Sequence, residues 1–140
     1  MKKLFTLLLT LMVALTCTLI SACKKEPLVV KESDTYVVIN VENATENQTL
    51  AGYMLSLTEY QDMFVIENGM VTSINGLSNS DETYSYWMIY TNDYSEDVSN
   101  EAYGTIDYNG TIYYSAAWGA ESLVVKNGYS YIFIYQTFSL

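Results

Sequence analysis

Hydrophobic and polar positions divide the chain into three stretches. Residues 4–20 are apolar apart from Thr6, Thr10, Thr16 and Thr18, while residues 24–34, KKEPLVVKESD, are mainly polar and hold the only proline. From Thr35 onward, short β-branched and aromatic runs alternate with breaks rich in Asn, Gly and Ser, the pattern of strands joined by tight turns. Strands are predicted at Tyr36-Val37-Val38-Ile39-Asn40-Val41, at Phe64-Val65-Ile66, over 70–74 and over 84–90. The stretch 105–114 reads as a hairpin, because Asn109-Gly110 readily takes the positive φ angles of a type I′ turn. A second hairpin is predicted from 122–125 through Lys126-Asn127-Gly128 to 129–138. Only one segment carries helical spacing: Leu50, Tyr53, Met54 and Leu57 fall at i, i+3, i+4 and i+7 and predict a helix over about 49–60. Its stripe is a core face, and Gly52 weakens it by about 1 kcal/mol relative to Ala. One early helix among about six to eight strands makes an α+β domain over 35–140.

The first stretch is a secretory signal. Lys2 and Lys3 precede an apolar run at the short end for spanning a bilayer, and Lys24, Lys25 and Glu26 follow almost at once. Ile20-Ser21-Ala22-Cys23 resembles the lipobox of bacterial lipoproteins, with small residues before the cysteine. The expectation is therefore a signal peptide over 1–22, a lipid on Cys23 that anchors the chain to the membrane, and an extracytoplasmic location. Residues 23–34 are read as the tether, and 35–140 as the folded domain.

Composition sharpens this picture. The 140 residues include 16 Asp and Glu, 6 Lys and Arg and no His, for a formal charge of −10. Such a balance argues against nucleic acid as a partner, which calls for a basic stripe. Cleavage before Cys23 removes Lys2 and Lys3 but no acid, so the mature chain is still more acidic. Cys23 is its only cysteine, which excludes an intrachain disulfide and a cysteine-based zinc site in the mature chain. With no His, no Arg and no thiol free of lipid, a nucleophilic triad lacks its base, so an enzyme is not expected and neither a metal nor a cofactor is required. The acidic loops at Asp81-Glu82 and at Asp93, Glu96 and Asp97 lack the spacing and glycine of an EF-hand and are read as solvated.

Three segments, in order, carry a family resemblance. V-x-S-I-N-G-L at 71–77, Y-W-x-x-Y-x-N at 86–92 and the closing ladder LVVKNGYSYIF at 123–133 resemble the transcobalamin-like C-terminal β-domain, over roughly residues 36–138. The resemblance implies a small β-grasp-like fold with two short, mostly antiparallel sheets around one helix. It also implies a surface module that binds cobalamin or another corrinoid for an uptake transporter, although the helical half of the animal carriers has no counterpart here. The alternative is a protein- or glycan-interaction module without a small ligand.

Aromatic and turn residues supply the candidate site. Alternation in YSYWMIY puts Ser85, Trp87 and Ile89 on one face, expected to be core, and Tyr84, Tyr86, Met88 and Tyr90 on the other, expected to be a Tyr-rich surface. Trp87 is thus a core anchor, while Tyr86 and Tyr90 are ligand candidates by area and hydroxyl. Trp118 and Gly119 lie in a loop of small residues, where Trp118 either meets a ligand or caps the core. Ile74, Asn75, Gly76 and Leu77 match the family segment near the ligand side, and read otherwise as a strand-ending turn. Trp87 is retained among the binding candidates with these.

Overall fold

The computed structural model describes residues 27–139. The expected signal segment, the lipidation site Cys23 and the first residues of the tether lie outside the described residues. Among the described residues no helix is long and apolar enough to cross a membrane.

Among the described residues nine strands and one α-helix follow in chain order: β1 (Val29–Ser33), β2 (Tyr36–Asn40), α1 (Leu50–Ser56), β3 (Phe64–Glu67), β4 (Met70–Ile74), β5 (Leu77–Ser78), β6 (Ser85–Thr91), β7 (Ser99–Tyr108), β8 (Thr111–Ala116) and β9 (Ser130–Thr137). They form a six-stranded sheet in the order β1-β2-β9-β6-β8-β7 and a small sheet β3-β4-β5, with antiparallel pairing throughout. An α+β domain with one helix and two antiparallel sheets is therefore the architecture. Type I′ geometry closes three of the hairpins, with positive φ at Asn68-Gly69, Asn75-Gly76 and Asn109-Gly110.

The main core lies between one face of the large sheet, α1, the small sheet and the segment before β9. Val37, Ile39, Leu50, Met54, Ile74, Leu123, Tyr131 and Phe133 are buried within it. Thr49 caps α1 by accepting from the Gly52 amide at 3.2 Å. The next free amides of the helix, Leu50 and Ala51, donate to the carbonyls of Leu123 and Ala120 at 2.7 and 2.9 Å. Seven residues would not hold a helix alone, so packing of Leu50, Tyr53 and Met54 and these caps do so. The Tyr53 hydroxyl adds a pin, accepting from the Glu42 amide at 2.9 Å just beyond β2.

Four expectations are corrected. Residues 29–33, expected in the tether, form edge strand β1, paired from Val29↔Ile39 to Ser33↔Tyr36. Val29 reaches the main core and Val30 the opposite face, and together they cover a β2 edge that would otherwise be open. The helix stops at Ser56, whose hydroxyl donates back to the Tyr53 carbonyl at 2.6 Å; the apolar stripe ends at Leu57. Residues 122–125 form no hairpin with β9, because β2 and β6 occupy both edges of β9. That segment instead backs α1, with a Thr49↔Val124 bridge and buried Leu123 and Val125. Finally, the second face of β6 is a Tyr-rich surface only toward Tyr84, 42% exposed, and the half-buried Tyr86, and it closes toward Tyr90. Tyr90 is buried there with Val38, Tyr113 and Ile132, because the β7–β8 arm folds across that face. The arm's tip reaches β1 and β2, where Tyr108 stacks on Tyr36 at 5.8 Å and donates to Glu32 at 2.6 Å.

Candidate functional site

A gap in the large sheet creates a cleft beside β6. β6 pairs with β9 along its whole length, from Ser85↔Thr137 to Thr91↔Tyr131. On its other side it pairs with β8 only at Tyr90 and Thr91. Beside the remaining edge lies a cleft of about 410 Å³, lined by four successive β6 residues, Tyr86, Trp87, Met88 and Ile89. Its opposite walls are Ser115 and Ala116 of β8, Trp118 and Gly119 of the following loop, and Met70, Val71 and Asn79 from the region of the small sheet. Backbone groups alternate in direction along a strand. The Trp87 amide points away from β9 and donates to Asn79 Oδ1 at 2.9 Å. By the same alternation the Trp87 carbonyl and the Ile89 amide face the cleft.

A second cleft of about 500 Å³ adjoins the first, sharing Met70, Asn79 and Tyr86 and adding Glu67, Thr72, Ser78 and Asp81. The Tyr86 hydroxyl donates to Asp81 Oδ1 at 3.0 Å, a bond that raises the tyrosine's pKa. Phe138 lies beside the Tyr86 ring at 6.3 Å and is 45% exposed.

Loop geometry fixes the far wall. Gly119 packs so closely on the turn before β4 that a Cβ there would lie 2.6 Å from the Gly69 carbonyl oxygen. Trp118 is 58% exposed, so it does not cap the core; its indole donates to the Asp97 carbonyl at 3.0 Å, which fixes its side chain beside the cleft. Met70, 57% exposed, lines the same cleft beside Gly119.

Of the sequence candidates, Tyr86, Trp87, Trp118 and Gly119 come together at this cleft. Trp87 is also the expected core anchor, 6% exposed, with its indole donating to the Leu77 carbonyl at 2.8 Å. Tyr90 does not join them; it faces the β7–β8 arm and donates to Gln136 at 3.1 Å. Ile74, Asn75, Gly76 and Leu77 form the β4–β5 turn outside the cleft, with Ile74 in the core. Sequence reasoning missed Met70, Asn79, Glu67 and Asp81. An exposed methionine directly after the Asn68-Gly69 turn was the available signal for the first.

Charge around the clefts is one-sided. Only two lysines fall in 27–139, and both are paired, Lys31 with Asp34 at 2.8 Å and Lys126 with Asp93 at 2.9 Å. Asp93, expected in a solvated loop, is instead 1% exposed at its side chain. Burial pushes its pKa up, but hydrogen bonds from Ser95 and Lys126 outweigh that and hold the carboxyl below its ordinary range. It is a structural charge away from the cleft. Comparison with family models, curated proteins and solved structures finds no match for this chain.

Proposed function

We propose that the chain is a membrane-tethered binding module whose ligand seats in the cleft beside β6. The carrying observation is the open β6 edge, which exposes a backbone donor and acceptor between Trp118, Met70 and Tyr86. Apolar walls with a few convergent polar groups are the general form of a binding pocket, and a volume of about 410 Å³ lies in the usual range for one. No cation other than the two paired lysines is present among the described residues, so the ligand is neutral or positively charged.

The lipobox supports lipidation at Cys23 and presentation outside the cytoplasm. The β-grasp description and the corrinoid rest on the family resemblance. A corrinoid is larger than the drug-sized ligands that such clefts enclose. It would enter by one edge, with peripheral amides meeting the open backbone groups and no histidine to hold its cobalt.

Intrinsic tryptophan fluorescence of the full chain in a non-glycosidic detergent tests the module. A panel of cobinamide, neutral oligosaccharides and short peptides should include a ligand that quenches or shifts the emission. Trp118→Ala should weaken that ligand's binding by about tenfold or more, measured independently by calorimetry. No response from any ligand at millimolar concentration, or equal affinity in the variant, would contradict the assignment.

A further inference from the structure

We infer that the cleft's ligand is an extended polypeptide segment with basic residues, which adds a short strand against the open edge of β6. This inference rests on the binding-module reading and names the ligand class of that same site.

The argument starts from the backbone. A strand edge without a partner presents N–H and C=O groups in a fixed alternation, which is a template for another strand. Proteins usually blunt such edges, and here most of the β6 edge is blunted. Tyr90 and Thr91 pair with β8, Ser85 bridges Ser80, and the Trp87 amide is taken by Asn79. What is left facing the cleft is the Trp87 carbonyl and the Ile89 amide, an acceptor and a donor two residues apart. In a parallel strand one residue supplies the matching amide and carbonyl, and in an antiparallel strand the two residues flanking the one opposite Met88 supply them.

Side-chain chemistry supports the same occupant. In strand addition the main chain supplies hydrogen bonds, and pockets for alternate side chains supply selectivity. An apolar ligand side chain has Trp118 and Met70 to rest on, both lining the cleft and both more than half exposed. The adjoining cleft presents the carboxylates of Glu67 and Asp81, neither with an ion-pair partner among the described residues. A lysine or arginine neighbouring the docked residue would meet them, whereas an acidic segment would be repelled. The lining comes from β6, the small sheet and the β8 loop, and a cleft of about 410 Å³ admits a single extended segment rather than a second sheet.

The test uses the full chain in detergent and blocked heptapeptides alternating valine with lysine. Three results are expected. The peptide binds by calorimetry and slows hydrogen exchange at the Ile89 amide. Methylating the peptide's central amide nitrogens, or replacing its lysines by glutamates, weakens binding by about tenfold or more. Asp81→Lys, at an exposed position, weakens the lysine peptide by a similar factor while leaving the thermal midpoint within a few degrees. Equal binding of the methylated peptide overturns strand addition, and equal binding of the glutamate peptide overturns the basic preference. If no peptide binds while cobinamide or an oligosaccharide gives a Trp118-dependent signal, the peptide class is wrong and the module stands. If nothing binds, both fail.

Discussion

Asp93 carries its charge where water does not reach, and the residues around it explain why. Ser95 donates to Oδ1 from both its amide and its hydroxyl, at 3.1 and 2.6 Å, and Lys126 meets Oδ2 at 2.9 Å. Because the folded carboxyl titrates below the ordinary 3.8, the unfolded chain binds more protons in the window just under that value. This contribution to stability is present above the unfolded pKa and is lost as pH falls through the folded one. Lys126→Met should cost about 2 kcal/mol near neutral pH, less than for a fully buried pair because the lysine is half exposed. Urea denaturation across pH checks both the cost and the sign. None of this was legible in the sequence, where Asp93, Glu96 and Asp97 look alike; burial of one depends on Lys126, thirty-three positions away. Gly119 is a second such residue. Gly119→Ala should destabilise by about 1–3 kcal/mol, since backbone at 2.6 Å cannot yield as a flexible side chain could. It should also displace Trp118, visible as a change in fluorescence of the folded state; an unchanged midpoint and emission would mean the seam adjusts freely.

Elements show where local sequence suffices and where it does not. β3, β4 and β8, each bounded by an Asn-Gly turn, stand near their predicted positions, because a type I′ turn and its flanking alternation are both local properties, whereas β7 begins at Ser99, six residues before the predicted 105, and the short β5 was not predicted. Tyr84 is a further exception at a strand start, since its φ of 50° turns the chain before β6 begins at Ser85. β1 and the 122–125 segment were misread for a shared reason: strand pairing is decided by which edge is vacant, and vacancy is a property of the sheet. The clefts suffer the same fate, because the gap between β6 and β8 exists only once β8 has splayed away. The β7–β8 arm makes a testable element. Burial first, and then the bond to Glu32, push the Tyr108 hydroxyl up to about 12. A raised folded pKa adds stability that is fully present below the unfolded value near 10 and is lost as pH rises through 12. Ultraviolet titration should therefore show one fewer late-ionising tyrosine in Tyr108→Phe, while Tyr131, also raised by burial, remains. The same variant should raise hydrogen exchange at the arm's tip while costing about 1 kcal/mol or less; unchanged exchange would mean the stack on Tyr36 holds the arm alone.

At the scale of the molecule, two sheets meet along the helix and the 119–125 segment, and the cleft beside β6 lies at that junction. With the main core on one face of the large sheet and a hairpin arm packed on the other, the β6 edge is an interior place where the sheet's pairing is incomplete. The surface around it is acidic, and tethering through Cys23 would hold it near the membrane with the tether lysines beside anionic headgroups. The central claim is that this edge receives a ligand. Amide chemical-shift mapping of the full chain, during titration with the valine-lysine heptapeptide and in parallel with cobinamide, tests it most directly. The account predicts saturable shifts at Met70, Asn79, Ile89 and Trp118, and none at the β7–β8 tip around Asn109. Shifts that cluster elsewhere, or that never appear at millimolar ligand, would contradict it.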